Sequence, residues 1–209
     1  MFLNEKGRIE WKKAALGVAV AIGSAIIGFS GADMFIQPYF RELDGAIWQY
    51  ISIFGSWKII AVLALAVFAI TRFARKFPAI ERLSLNIFFS VMAAHCAVGI
   101  LKICVGRMRP LMFEALALTG FSPFSLSDTY HSFPSGHAAA AFAFFVSIGL
   151  ANPKYKPLTW ILAILVSAAR LAMGAHWPAD VIVGAFIGML AADLAAHLRQ
   201  TQFVKRMGI

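Results

Sequence analysis

Three short segments of this sequence place cationic and imidazole side chains beside long hydrophobic runs. They are Lys102–Pro110 (KICVGRMRP), Pro134–His137 (PSGH) and Arg170–Asp180 (RLAMGAHWPAD). A fixed charge deep in a bilayer costs roughly 2.5–3.5 kcal/mol on insertion scales, so charges in such places indicate a ligand that requires them. Lysine and arginine without matching carboxylates favour an anionic ligand. The two histidines among them favour proton transfer or nucleophilic attack.

The first segment pairs two cations on one helical face. Lys102 and Arg109 are seven residues apart, which is two helical turns, so both side chains can point the same way before Pro110 ends the helix. Arg107 lies two positions from Arg109 and need not face the same ligand. The alternative is that these side chains only extend from a helix end toward the membrane surface.

The second segment has the composition of a helix start. Pro134 and Ser135 suit the first turn, and Gly136 allows close approach of the backbone. The free N–H groups and partial positive charge of a helix N-terminus form an anion site, toward which His137 would project. The alternative is an ordinary helix cap.

The third segment predicts an oriented histidine. His176 and Asp180 are four residues apart at the start of a hydrophobic run, and Arg170 lies six residues before His176, across a turn at Gly174. A carboxylate within reach of one imidazole nitrogen fixes the tautomer and leaves the other nitrogen free to attack. The alternative is a structural His–Asp cap.

The composition indicates a membrane protein of one domain, residues 1–209. Of the 209 residues 60% are hydrophobic and 14% are charged, whereas soluble domains have about 25% charged residues. The net charge is +9, but most cations flank hydrophobic runs, as the positive-inside rule expects. No basic stripe with interleaved aromatic residues lies outside these runs, which argues against a nucleic-acid partner.

We predict an all-α bundle of six transmembrane helices. The predicted spans cover residues 14–32, 57–71, 85–105, 137–151, 158–174 and 178–198. The stretch from Met34 to Phe54 mixes aromatic and charged residues around a predicted helix break at Pro38. It is either an amphipathic segment in the outer membrane interface or a loop held by its aromatic residues.

Charge sets the predicted orientation. Thirteen lysines and arginines fall on the side that carries both termini, and six fall on the other side. The six are Arg41, Lys58, Lys102, Arg107, Arg109 and Arg170. The richer side is the cytoplasm. Both termini are then cytoplasmic, and all three segments meet at the non-cytoplasmic face.

Taken together, the segments resemble the signature of the type 2 phosphatidic acid phosphatase superfamily. That signature is Lys-x6-Arg-Pro, then Pro-Ser-Gly-His, then Ser-Arg-x5-His-x3-Asp. The sequence matches it in order, with one departure: Ala169 stands where the pattern has serine. The motifs occupy Lys102 to Asp180, and the six-span layout extends the resemblance over the whole chain.

The resemblance implies a division of labour. His176 is expected to attack phosphorus and form a phosphohistidine, Asp180 to orient it, and His137 to protonate the leaving oxygen. The expected phosphate-binding residues are Lys102, Arg109, Ser135, Gly136 and Arg170.

Two further residues are candidate substrate contacts. Arg107 would add to the phosphate-binding group, and His131 would contact the substrate from the outer loop. No carboxylate cluster suited to a metal is present, since Asp180 would be engaged with His176. The expected enzyme therefore uses no metal and no cofactor.

The implied activity is hydrolysis of phosphate monoesters or diphosphates on membrane lipids. Candidate substrates are undecaprenyl diphosphate, phosphatidylglycerol phosphate or phosphatidic acid, and lipid A phosphate. A lipid phosphotransferase could use the same phosphohistidine, and a non-catalytic transporter or binding protein could use the same cations. Vanadium-dependent haloperoxidases have a similar anion site, but six spans argue against them. A bacterial inner membrane is the expected location, and the sequence predicts no oligomeric state.

Overall fold

The computed structural model describes residues 1–3, 9–43, 45–116 and 118–200. Within these residues the chain forms α-helices and no β-strand. The helices are α1 (Trp11–Ile27), α2 (Asp33–Arg41), α3 (Ala46–Ile53), α4 (Trp57–Ala74), α5 (Pro78–Val105), α6 (Pro110–Leu116), α7 (Gly136–Ala151), α8 (Lys156–Ala172) and α9 (Pro178–Gln200). Four of the thirteen lysines and arginines counted on the side of the termini lie outside the described residues, namely Lys6, Arg8, Lys205 and Arg206, as does Asp44 in the stretch from Met34 to Phe54.

Five helical segments in the described part of the chain are long and apolar enough to cross a membrane. They are Trp11–Arg41, Trp57–Ala74, Pro78–Val105, Pro153–Ala172 and Pro178–Leu198. These segments correspond to five of the six predicted spans, and they indicate an integral membrane protein. The remaining helix, α7, has 16 residues. At 1.5 Å per residue it is about 24 Å long, less than the roughly 30 Å of a hydrocarbon core. The count of six spans therefore stays a prediction.

Helix α5 extends beyond the apolar run from which its span was predicted. The helix begins at Pro78, seven residues before the predicted start at 85. Proline suits the first helical position, and Glu81 in the first turn complements the positive end of the helix. The prediction followed the apolar run alone, so it missed the polar turns at this end.

Most of the described residues between Met34 and Phe54 are helical, so the loop alternative was wrong. They contain α2 from its second residue onward and all of α3. The predicted break at Pro38 was also wrong, because Pro38 lies inside α2. The backbone instead bends at Gly31, whose φ of 109° is open to glycine and strained for other residues.

Helix α2 turns its polar face toward the protein. Asp33 and Gln37, one helical turn apart, are buried, whereas Phe35, Ile36 and Tyr39 are exposed. This reverses the usual pattern of a soluble protein and suits a helix whose outer face meets lipid. The polar face lies against the end of α8 and the start of α9, since Gln37 Nε2 donates to the Leu171 carbonyl at 2.9 Å and Asp33 accepts from the Ala179 N–H at 3.2 Å.

Helix α7 packs against α5, α8 and α9. Its alanines bring neighbouring helices close, and Ala138, Ala139, Ala141 and Ala143 are fully buried. On α9, a Cβ at Gly184 would lie 2.4 Å from the Ser135 carbonyl oxygen, and one at Gly188 would lie 2.2 Å from that of Ala139. The backbones of α7 and α9 are therefore in direct contact, which fixes the position of the start of α7.

Candidate active site

The three segments meet at one end of the bundle. Lys102 lies in the last turn of α5 and Arg170 in the last turn of α8, whereas Ser135 caps the start of α7. Backbone contacts join these ends: the Ser135 N–H donates to the carbonyl of Asp180 in α9 at 2.9 Å. Arg109 Nη1 donates to the Ala175 carbonyl at 3.1 Å, which joins the first segment to the third. The structure thus brings together residues up to 78 positions apart in the sequence.

Lys102, Arg109 and Arg170 form a group of cations held by neutral partners. Lys102 Nζ donates to the His131 carbonyl, and Arg109 Nε donates to the Asp128 carbonyl at 2.8 Å. Within the described residues, none of the three side chains lies within ion-pair distance of a carboxylate. Burial lowers the pKa of Arg109, because an unpaired charge is poorly solvated there. An anion would neutralise this group.

Arg170 retains an unused donor. Its Nη1 donates to Ser52 Oγ in α3 at 2.7 Å, while its Nε is buried without a hydrogen-bond partner. A buried donor without a partner costs about 1–3 kcal/mol, so such groups generally mark a place where a ligand or water binds. Ser52 was not predicted from the sequence, because it lies far from the motifs in a segment of uncertain structure.

The start of α7 contributes backbone donors and His137. Ser135 Oγ accepts weakly from the Ala138 N–H at 3.4 Å, which makes it the N-cap. His137 follows in the first turn, and its imidazole makes no hydrogen bond within the described part of the protein. A Cβ on Gly136 would meet Val98 at an ordinary contact distance of 3.7 Å. The protein therefore leaves room for one more atom at Gly136.

His176 lies in the connection between α8 and α9 and is 2% exposed. Its Nδ1 is 2.7 Å from the Ser132 carbonyl oxygen and 3.7 Å from Asp180 Oδ2. The first distance is a hydrogen bond and the second is too long for one. Burial, followed by repulsion from Lys102 and Arg170, lowers the pKa of His176 well below its usual value, although Asp180 opposes the shift. The imidazole is therefore neutral at pH 7.

The carboxylate of Asp180 is fully buried and bound by other donors. Ser132 Oγ donates to its Oδ2 at 2.5 Å, and the Trp177 N–H donates to the same oxygen at 2.9 Å. Arg107 Nη1 donates to Oδ1 at 2.7 Å. His176 and Asp180 are thus close to each other without a hydrogen bond between them, and Ser132 contacts both.

Arg107 lies apart from the other cations. Its Nη1 is also 2.9 Å from Asp33 Oδ2 at the start of α2, and its guanidinium stacks over the rings of Phe29 and Trp177. The sequence analysis offered Arg107 as a substrate contact. The structure places it between two buried carboxylates, Asp180 and Asp33, the second of which lies 74 residues earlier in the sequence. The predicted substrate contact by Arg107 stays a prediction.

His131 contacts the site through its backbone. Its carbonyl accepts from Lys102, while its ring nitrogen Nε2 is 2.8 Å from the Ser125 carbonyl oxygen. The ring thus has a partner within the connection between α6 and α7, and the predicted substrate contact by His131 stays a prediction.

Sequence reasoning missed Ser132, Asp33 and Ser52. Ser132 stands two positions before Pro134, and its closeness to a recognised motif was an available signal. Asp33 and Ser52 carried no such signal, because their contacts depend on the packing of α2 and α3.

The described residues define a class, an integral membrane protein built of helices, with three cations that lack a carboxylate partner gathered at one end of the bundle. Residues 83–203, more than half of the chain, match the PAP2 superfamily. The chain belongs to that family.

Comparisons with individual proteins agree with this assignment. The chain is 37% identical over 110 residues to a lipid A 1-phosphatase from Rhizobium johnstonii, covering 53% of this chain and 45% of that protein. It is 29% identical over 138 residues to an undecaprenyl-diphosphatase from Sulfolobus acidocaldarius, covering 63% of this chain and 62% of that one. The matches thus span less than two thirds of either relative.

A solved structure shares the fold. The crystal structure of a PAP2-type phosphatidylglycerolphosphate phosphatase from Bacillus subtilis superposes with a TM-score of 0.67 and 21% identity. The superposition covers 92% of this chain and 99% of that one.

Proposed function

We propose that this protein hydrolyses phosphate monoesters or diphosphates of membrane lipids, without a metal, through a phosphohistidine at His176. The observation that carries the proposal is the group formed by Lys102, Arg109 and Arg170, three cations without a carboxylate partner in the described residues, beside a neutral buried imidazole. A phosphate dianion would satisfy the cations and the unused Arg170 Nε. The names of the relatives, a lipid A 1-phosphatase and an undecaprenyl-diphosphatase, point to the same chemistry.

The first step would be attack by His176. Its Nδ1 is engaged by a carbonyl oxygen, so Nδ1 carries the hydrogen and the lone pair is on Nε2. Nε2 would form a bond to phosphorus while the bond from phosphorus to the leaving oxygen breaks. Lys102, Arg109, Arg170 and the N–H groups at the start of α7 would neutralise the charge that develops on the phosphoryl oxygens.

Proton transfer would fall to His137. Within the described residues its ring makes no hydrogen bond, and from the first turn of α7 its protonated form could donate a proton to the leaving oxygen. In the second step a water would attack phosphorus, the bond from phosphorus to Nε2 of His176 would break, and His137 would take the proton that this water loses. The products are the lipid alcohol, or the lipid monophosphate from a diphosphate, and inorganic phosphate.

We place the site at the non-cytoplasmic face of a bacterial inner membrane, with both termini in the cytoplasm. The support is the excess of lysine and arginine on the side of the termini. A lipid is the favoured substrate because its tail could stay in the bilayer while its phosphate reaches the cations. The candidates remain undecaprenyl diphosphate, phosphatidylglycerol phosphate or phosphatidic acid, and lipid A phosphate.

The test is phosphate release by purified protein in detergent with EDTA present. Each candidate lipid is assayed with wild type, with His176→Ala and with His197→Ala, a histidine near the opposite end of α9. We expect release by wild type and by His197→Ala and none above background by His176→Ala. Transfer of phosphate to a lipid hydroxyl without release would support the phosphotransferase. Loss of activity with EDTA, restored by Mg²⁺, would refute the metal-independent mechanism.

A further inference from the structure

The hydrogen bond of His176 has a defined direction. A carbonyl oxygen can only accept a hydrogen bond, so the 2.7 Å contact between Nδ1 and the Ser132 carbonyl requires the hydrogen on Nδ1. Nε2 is then the unprotonated nitrogen. This selection of the tautomer needs nothing from Asp180, whose nearer oxygen is 3.7 Å from Nδ1.

Ser132 also controls the carboxylate. Its hydroxyl donates to Asp180 Oδ2, and its N–H donates to the Arg107 carbonyl at 3.0 Å. The residue is fully buried. One serine thus contacts the histidine through its carbonyl, the aspartate through its hydroxyl and the Arg107 backbone through its amide.

The remaining donors keep Asp180 in place. Trp177 N–H shares Oδ2 with the serine hydroxyl, and Arg107 occupies Oδ1. Arg107 is itself held by Asp33, which also accepts from the Ala179 N–H at 3.2 Å. The carboxylate therefore cannot turn toward Nδ1 without giving up a charge-assisted or short hydrogen bond.

We propose that Ser132 is a positioning residue for His176: its backbone carbonyl selects the Nδ1–H tautomer, and its hydroxyl, with Arg107, holds the Asp180 carboxylate off that nitrogen. The geometry stands by itself, whereas its effect on turnover rests on the proposed function. In this arrangement Asp180 acts on His176 through its charge and through Ser132. Asp33 contributes indirectly, because it binds Arg107, which in turn binds Asp180.

The charged groups that act on His176 come from three helices. They are Lys102 of α5, Arg170 of α8 and Asp180 of α9, with Arg107 and Asp33 behind Asp180. Replacement of Asp180 by asparagine leaves Arg107 balanced by Asp33, so the variant is expected to fold. This makes Asp180→Asn the decisive substitution.

The first measurement is the tautomer of His176 by NMR. Protein labelled with ¹⁵N-histidine in detergent micelles is compared with a His176→Gln sample, which identifies the His176 signals. We expect the Nδ1–H tautomer in wild type and also in Asp180→Asn, because the carbonyl remains. An Nε2–H tautomer in wild type would overturn the proposal. So would a change of tautomer in Asp180→Asn, since the aspartate would then be what selects it.

The second measurement is turnover of the best lipid substrate. We expect Ser132→Ala to lower kcat on the order of tenfold or more while KM changes less than about threefold, and Ser132→Thr to restore most of the loss. Ser147→Ala is the matched control, because Ser147 is a buried serine that donates to the Ala143 carbonyl within α7. It should keep wild-type kcat.

The double variant Ser132→Ala/Asp180→Asn completes the cycle. If the hydroxyl acts through Asp180, the double variant should be no slower than Asp180→Asn within about threefold. Losses that multiply would show that the hydroxyl acts independently and would refute that half of the proposal. If the wild-type protein showed no phosphatase activity, the proposed function would be refuted. The NMR measurement of the His176 tautomer would still test the positioning role of Ser132.

Discussion

Replacement of Gly184 by alanine should displace the start of α7. A Cβ at this position would lie 2.4 Å from the Ser135 carbonyl oxygen, whereas real Cβ atoms essentially never approach closer than 3.0 Å. The two backbones must therefore separate by at least 0.6 Å, the difference between these distances. Because the contact is with backbone, no side-chain rotation can relieve it.

The displaced residues are those proposed to bind phosphate. Ser135 caps α7, and Gly136 and His137 follow it directly. A misplacement of about 1 Å can cost roughly 10²-fold in rate, and overpacking costs about 1–3 kcal/mol of stability. We therefore expect kcat/KM of Gly184→Ala to fall by about 10- to 100-fold, with the protein still folded.

The assay is phosphate release from the best lipid substrate, with thermal unfolding measured on the same samples. Gly99→Ala is the control, because Gly99 lies in α5 and nothing lies within 4 Å of the added Cβ. It should keep wild-type activity. If Gly184→Ala kept activity within about threefold of wild type, contact with α9 would not position the start of α7, and the reasoning would be refuted.

Three further predictions concern anion binding, pH and backbone conformation. Lys102→Gln should weaken inhibition by inorganic phosphate by about 10- to 100-fold, the equivalent of one charge-assisted hydrogen bond, whereas the exposed Lys58→Gln should not. Because the pKa of His176 is lowered in the folded protein from its usual 6.5, the free energy of unfolding should fall as pH drops below about 6.5. Thermal unfolding across pH should show a shallower acid slope for His176→Asn, and equal slopes would contradict this. Gly106→Ala should lower the free energy of unfolding by about 2 kcal/mol or more. The φ of Gly106 is 59°, and the added Cβ would lie 1.9 Å from the Ser122 carbonyl oxygen. Gly120→Ala is the control, because nothing lies within 4 Å of a Cβ added there.

The cations and histidines could be predicted from the sequence because each motif has a local physical meaning. Ser135 precedes a helix that needs a cap, a feature that depends on spacing alone. The prediction that Lys102 and Arg109 share one helical face before Pro110 ends the helix was wrong, because α5 ends at Val105 with Gly106 in a left-handed conformation and Pro110 begins α6. The motif thus identified both cations but not the backbone that carries Arg109. The apolar runs likewise predicted the long helices, apart from polar turns such as that of Glu81.

The contacts around Asp180 could not be predicted. His176 and Asp180 have the spacing of a hydrogen-bonded pair, but Ser132 and Arg107 take the carboxylate in the folded protein. Both reach it through tertiary packing across at least 48 residues. Spacing shows which groups could meet, and it carries no information about a competing partner from another helix.

The order of the helices along the chain has a consequence for biosynthesis. The last described helix, α9, carries Asp180, follows His176 directly and supports the start of α7 through Gly184. A nascent chain whose earlier helices have already entered the membrane therefore still lacks the residue expected to attack phosphorus. The Ser135 N–H also donates to the Asp180 carbonyl, so the start of α7 gains its contacts with α9 only when synthesis has passed Gly184, and catalysis as proposed would begin only after that step.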